Sequence, residues 1–285
     1  MDIGSYLVDY EGAIRIAAFV AVFALMAAWE VAAPRRALTL SKGRRWLANL
    51  GVTLLNAALL RVLFPAATVG MALAAGERHW GLFNALAVPA PLAFALSFLA
   101  LDLVIWVQHV AFHRVPLLAR LHRMHHVDLD FDVTTGLRFH PVEILLSALI
   151  KLAAVAALGA PAAAVLAFEL ALNLGSLFNH GNVRMPGGVD RVVRWLIVTP
   201  DMHRVHHSIV PEEINSNFGF FLSWWDRLFG TYRAAPQAGH DAITIGVRDT
   251  RDPAVCARLW PMLALPFRER ADDFPCARPA PQRAT

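Results

Sequence analysis

Leu96-Ser-Phe-Leu-Ala-Leu-Asp102-Leu-Val-Ile-Trp-Val-Gln-His109-Val-Ala-Phe-His113-Arg-Val-Pro116-Leu-Leu-Ala-Arg-Leu-His122-Arg-Met-His125-His126 passes from an apolar stretch straight into five histidines. The apolar part belongs to a run from about Leu86 to Val107, long enough to cross a bilayer as a helix, with Pro89 and Pro91 near its start. It delivers His109 and His113 just beyond the expected membrane edge. Positions i, i+3 and i+4 of a helix share a face, so His109 with His113, and His122 with His125 and His126, are expected to aim at a common point. Thr199-Pro-Asp-Met-His203-Arg-Val-His206-His207 repeats the H-x-x-H-H spacing far downstream. Eight of the 12 histidines fall in these three clusters, which marks a metal site.

The rest of the chain supplies the membrane. With 57% hydrophobic and 17% charged residues and a mean hydropathy of +0.47, the 285-residue chain is outside the ordinary soluble range. Ala13 to Ala33 is long enough to span and is followed by Arg35, Arg36, Lys42, Arg44 and Arg45, which assigns that loop to the cytoplasmic side. A second run, roughly Trp46 to Ala75, carries only Arg61 and leads to an outer turn, Gly76 to Gly81. Val142 to Leu158 and Ala162 to Phe178 form an apolar hairpin broken at Gly159-Ala-Pro161. His140, before Pro141, and His180, before Gly181, stand where that hairpin enters and leaves the membrane.

The expected fold is therefore an all-α integral membrane protein, with four to five transmembrane helices under a cytoplasmic histidine-rich helical cap. Residues 1–232 form the membrane-bound domain, with the histidine boxes in 102–232, and 233–285 a partly loose cytoplasmic tail whose only strand-like run is Ala242 to Val247. The net charge of +4 reads as membrane topology rather than nucleic-acid binding. Asp2, Asp9 and Glu11, with only Arg15 as a base, do not make a signal-peptide n-region, so the first apolar run is expected to be retained. Cys256 and Cys276 form no C-x-x-C pair and imply neither disulfide framework nor thiolate site.

Ten histidines, counting His140 and His180, exceed what one ion needs, and two ions fit the number. Imidazole suits iron, zinc, copper or nickel, and spacing does not choose among them. Asp102, two turns before His109, could accept the second N–H of a ligating imidazole, while Asn179 and Asn182 flank His180 and could orient it or cap the helix end. Arg61, Lys151 and Glu169 are costly in lipid and are expected to face the bundle interior, the carboxylate pairing with either base. Asp201 starts a short helix behind the N-cap Thr199, and Asp226 anchors an aromatic segment. His79 and His240 fall in loops and are assigned to solvent.

Taken together, Asp102 with His109-x-x-x-His113, His122-x-x-His125-His126, Arg138-Phe-His140-Pro-Val-Glu143, Asn179-His180-Gly-Asn182, the Thr199 to His207 segment and Trp225 to Tyr232 resemble the fatty acid hydroxylase / sterol desaturase superfamily of membrane-bound di-iron oxygenases. The resemblance implies two irons held by His109, His113, His122, His125, His126, His180, His203, His206 and His207, with His140 also in the candidate set and Asp102 and Asn182 supporting the ligands. It implies O2 as co-substrate and a bilayer lipid, fatty acyl or sterol-like, as substrate, with hydroxylation favoured over desaturation. The chain carries no G-x-G-x-x-G motif, haem attachment site or Fe–S cysteine set, so electrons must come from a separate ferredoxin, cytochrome or reductase. The expected location is the inner membrane of a bacterium. The alternative enzyme is a carotenoid or isoprenoid ring hydroxylase. A metal transporter or metal-binding membrane protein would carry more ionisable residues in mid-span, and a zinc hydrolase would carry H-E-x-x-H, which is absent.

Overall fold

The computed structural model describes residues 10–64 and 67–268. Asp2, Asp9 and Cys276 lie outside them. Helices α1 (Glu11–Ala32), α2 (Lys42–Leu63), α3 (Ala67–Glu77), α4 (Ala90–Arg114), α5 (Pro116–His126), α6 (Pro141–Leu158), α7 (Ala162–Asn179), α8 (Gly187–Val193), α9 (Pro200–His206) and α10 (Leu259–Arg268) carry the architecture. Five stretches are long and apolar enough to cross a membrane: α1, the 44-residue stretch Lys42–Ala85, α4, α6 and α7. The protein is thus an all-α membrane protein. Among the described residues no strand forms, and Ala242 to Val247 contributes only the isolated bridge between Ser208 and Ile245.

The central helix α4 packs on α6 and α7, α1 lies on α7, and α3 closes against α6 and α7. Leu101, Ile105, Val155, Val165 and Phe168 meet in the intramembrane core. The outer faces carry Ile16, Leu47, Leu54 and Val62, each more than two thirds exposed, as helices solvated by lipid require. Gly159 ends α6 with φ at +68°, and a side chain there would strike the carbonyl of Trp80 at 2.5 Å. The turns that follow α3 and α6 are therefore pressed together at one end of the bundle.

The histidine end is organised by buried charge. Glu30 of α1 accepts from the backbone N–H groups of Val133 and Asn182 at 2.7 and 2.9 Å, so the basic loop after α1 lies at this end. Arg45, fully buried, pairs with Asp128 at 2.7 Å and with Asp132, and Arg138 lies 3.5 Å from Asp128. Asp130 accepts from the backbone N–H groups of Thr39 and Leu40 at 2.9 and 2.7 Å. These contacts bind the loop after α5 to the start of α2.

The structure refines three expectations. The helix α4 continues without a break through His109 and His113 to Arg114. Arg61, expected inside the bundle, is exposed in the last turn of α2, whereas Glu169 pairs with Lys151 at 2.9 Å as expected and also with Arg15 at 2.6 Å. The chain after residue 232 is folded as far as 268: α10 packs on α5 and α2, with Met262 and Leu265 buried. Pro261 in the first turn of α10 is compatible with a helix start, whereas Pro266 lies inside the helix.

Candidate metal centre

The histidines converge as two adjoining groups. His109, His113, His122, His126 and His206 form the first, and His125, His180, His203 and His207 the second; within each group the ligand atoms lie within 4.8 Å of one another. All nine are buried. His126 and His207, one from each group, stack with ring centroids 4.5 Å apart.

Each H-x-x-H-H motif is divided between the groups rather than aimed at one point. His122 and His126, at i and i+4, join the first group while His125 turns to the second; His203 and His207 join the second while His206 turns to the first. Helix geometry explains the split, because consecutive residues such as 125 and 126 are rotated by about 100°. Thr199 caps α9, its hydroxyl accepting from Met202 N at 3.4 Å, and Pro200 occupies the first turn, so the motif begins where the sequence indicated.

The ring nitrogens are wired for ligation. Nδ1 of His109 donates to the carbonyl of Phe218 at 2.7 Å, Nδ1 of His180 to Ser176 at 2.8 Å, and Nδ1 of His206 to Ser216 at 2.7 Å. His122 Nδ1 lies 2.6 Å from Glu143 Oε1. Carbonyls and carboxylates only accept, so each Nδ1 carries a proton, and a neutral ring then presents Nε2 as the lone pair. His109 Nε2 and His122 Nε2 nevertheless face each other at 3.1 Å, an arrangement of two lone pairs that a cation between them would relieve. Nε2 of His206 and both ring nitrogens of His207 are buried with no hydrogen-bond partner.

Burial first, and repulsion between neighbouring imidazoles second, push His125, His126, His203 and His207 well below the ordinary histidine range; burial carries His206 the same way and His180 to about 3. All six are neutral at physiological pH. Neutral, convergent imidazoles with buried orphan nitrogens fit metal ions, and the nitrogen-only donor set suits iron, zinc, copper or nickel.

The other candidates fall elsewhere. His140 N-caps α6, with Nδ1 accepting from Val142 N at 3.2 Å and Nε2 beside the carbonyl of Leu263 at 3.2 Å; it joins neither group. Asp102 does not hold His109, whose Nδ1 is taken by Phe218; it accepts from Trp225 Nε1 at 2.7 Å and from Leu222 N at 3.4 Å. Asn182 does not touch His180, because both its amide ends are engaged by the backbone of Arg36, at 3.2 and 2.8 Å. Asn179 donates to Phe220 O at 2.7 Å. His79 is exposed, while His240 is largely buried beside Asp201 at 3.8 Å.

Two supporting carboxylates were not read as such from the sequence. Glu143 holds His122. Asp226 accepts from the backbone N–H groups of Phe218 and Gly219 at 2.8 Å each and from Trp106 Nε1 at 3.0 Å, fixing the loop whose carbonyl orients His109. The position of Glu143 in the first turn after His140-Pro141 was the available signal.

Beneath the first group, a cavity of about 410 Å³ reaches from His109, His122 and Phe139 to Lys151 and Glu169. Its walls are mostly aliphatic and aromatic.

The fold and site define a membrane protein whose helices carry paired, all-histidine groups suited to metal ions. Residues 94–231 match the fatty acid hydroxylase family, in line with the resemblance carried by the histidine motifs. It is 27% identical over 198 residues to alkylglycerol monooxygenase of Xenopus tropicalis, covering 67% of this chain and 42% of that protein. It is 32% identical over 159 residues to ornithine lipid hydroxylase OlsE of Rhizobium tropici, covering 54% and 46%. It is 34% identical over 168 residues to a very-long-chain aldehyde decarbonylase of Oryza sativa subsp. indica, covering 55% and 26%. The chain thus spans less than half the length of these relatives. No solved structure matches it.

Proposed function

We propose that this chain is an O2-dependent lipid hydroxylase with two iron ions, one in each histidine group, acting on an unactivated C–H bond of a lipid taken from the bilayer. The observation that carries the reading is the pair of adjoining groups above a cavity that reaches into the apolar bundle. Bound iron supplies activation of O2 and removal of hydrogen from carbon. The chain's own residues position and insulate. Phe218, Ser176, Ser216 and Glu143 hold the Nδ1 protons of four histidines and so present Nε2 as ligand. Phe139 stacks on His125 at 4.4 Å and, with Phe220, walls the histidines off from water. The cavity extends an acyl or polycyclic tail beneath them.

Hydroxylation is preferred because two of the three relatives above are named as a monooxygenase and a hydroxylase, against one decarbonylase. The basic loop Arg35 to Arg45 lies at the histidine end, which supports a cytoplasmic reading of the metal side; the membrane in this reading is a bacterial inner membrane. A separate ferredoxin, cytochrome or reductase delivers electrons there. The test is metal analysis by mass spectrometry on protein from iron-supplemented cells, paired with lipid profiling of cells with and without the gene. About two irons per chain and a lipid heavier by one oxygen atom are expected. One metal or none, with an unchanged lipid profile, would refute the proposal.

A further inference from the structure

Two segments that follow the last crossing helix, 187–198 and 221–229, are bound to each other. Val198 N donates to Phe221 O at 2.8 Å, Ser223 N to Leu196 O at 3.3 Å, and Trp224 Nε1 to Trp195 O at 2.9 Å. The pair is fastened to the side of α4. Trp225 Nε1 donates to Asp102 at 2.7 Å, Trp106 Nε1 donates to Asp226 at 3.0 Å, and the Phe229 ring stacks on that of Trp106 with centroids 4.7 Å apart. Counted from Ala90 at 1.5 Å per residue, Asp102 and Trp106 lie about 18 and 24 Å along α4. A hydrocarbon core is about 30 Å thick, so both fall within its depth, and tilt of α4 only draws them further from its histidine-side edge. The two segments therefore stand beside a part of α4 that is inside the bilayer, one to two turns below His109.

Their outer surface matches that depth. Val192, Trp195, Leu196, Trp224, Leu228 and Phe229 are 42–68% exposed, and Val107, next to Trp106 on α4, continues the patch at 52%. Contiguous apolar area of this kind, with two indole rings in it, is uncommon on a surface that faces water. It is usual where a protein meets the boundary between headgroups and acyl chains. Basic side chains border it: Arg191 is exposed, and the Arg227 guanidinium lies 4.0 and 3.9 Å from the ring centroids of Trp195 and Tyr232. Arginine beside tryptophan suits the level of the lipid phosphates, with the apolar stems in the acyl region and the charge in the headgroups.

We propose that segments 187–196 and 224–229 form a platform seated in the membrane, immersed in the leaflet at the histidine end, with bilayer lipid as its partner. The platform also reaches the metal centre. Asp226, at its heart, accepts from the backbone N–H groups of Phe218 and Gly219 at 2.8 Å each, and the carbonyl of Phe218 takes the Nδ1 proton of His109. The loop that orients this histidine is thus fixed to an element held by lipid. The inference rests on the chain crossing the bilayer and is independent of the reaction at the metals.

The test is site-directed fluorescence on the full chain reconstituted in phosphatidylcholine nanodiscs, where both membrane faces are open to solutes. The fluorophore NBD is attached at Val192→Cys and Leu228→Cys, one on each segment, in a Cys276→Ser background that leaves only the buried Cys256. Leu54→Cys, on the lipid face of α2, and Glu212→Cys, at an exposed acidic position, serve as references. Quenching by lipids carrying a nitroxide on the acyl chain is expected to fall within about twofold of that at 54, and quenching by aqueous iodide about fivefold or more below that at 212. Nitroxide-lipid quenching at 192 or 228 no greater than at 212 would overturn the proposal. Strong iodide quenching would then show a surface facing water, and weak quenching by both agents a surface covered by a second copy of the chain. Each label reports on its own segment, so if circular dichroism shows one variant unfolded the other still decides.

Discussion

Glu143 offers the sharpest perturbation of the centre. Its Oε1 lies 2.6 Å from His122 Nδ1, with side-chain exposures of 4% and 1%, so no solvent can replace it cheaply. Glu143→Ala leaves a buried imidazole N–H unpaired and its ring free to turn. Removing such an outer partner typically weakens metal binding 10–100-fold, about 1.4–2.7 kcal/mol. Glu143→Gln keeps an acceptor but loses the charge, which roughly halves such a hydrogen bond, so it should fall near the tenfold end. Only the first group contains His122, so only one of the two metals should respond. The assay is competition with a graded chelator, with retained iron counted by mass spectrometry at each concentration. Biphasic release is expected, half the iron leaving Glu143→Ala at about 10–100-fold lower chelator than in the unmodified protein. Superimposable release curves would refute the assignment of Glu143 as the group that orients His122.

Other substitutions separate ligands from supports. His140→Ala should retain the full metal content and lose about 1 kcal/mol of stability from the missing helix cap, measured by thermal unfolding in detergent; loss of a metal would return His140 to the ligand set. Gly136→Ala would place Cβ 2.6 Å from Ser176 O and 2.9 Å from His180 Nδ1, and so should strip metal from the second group; full occupancy of both groups would contradict that geometry. Burial raises the Cys256 thiol to about 12, so in a Cys276→Ser background it should resist iodoacetamide at pH 8 until the protein unfolds. Labelling of the folded protein at the rate of a free thiol would show that the packing around Cys256 is wrong.

Much of the membrane architecture is legible because it rests on local rules. Gly159 and Pro161 break the apolar hairpin where the structure breaks it, and Thr199-Pro200 starts α9. The histidines converge as their clustering implies. What the sequence conceals is long-range pairing. Asp102 sits on the right face to reach His109, but Trp225, more than a hundred positions away, takes its carboxylate. Glu169 and Lys151 were visible as partners, whereas Arg15 sits near the start of α1 with nothing local to link it to them. The aspartates at 128, 130 and 132 alternate in what reads as a polar loop, and only the buried Arg45 and Arg138 show why they are there.

The division of each H-x-x-H-H motif bears on why there are two groups side by side. Were both motifs aimed at single points, each would form a separate site that could drift relative to the other. Instead α5, and α9 together with its C-cap His207, each give an i, i+4 pair to one group and a single residue to the other, in reciprocal fashion. A rotation of either helix would displace ligands of both groups together. The groups therefore hold a fixed separation only if both helices are held, and both are: Arg138 Nε donates to the carbonyl of Met124 in α5 at 3.0 Å, and Asn217 Nδ2 donates to the carbonyl of Met202 in α9 at 2.8 Å. In the proposed function, two metals sharing one O2 molecule would require that kind of constraint. It also explains why buried charged and amide side chains, costly in themselves, are concentrated around two short helices.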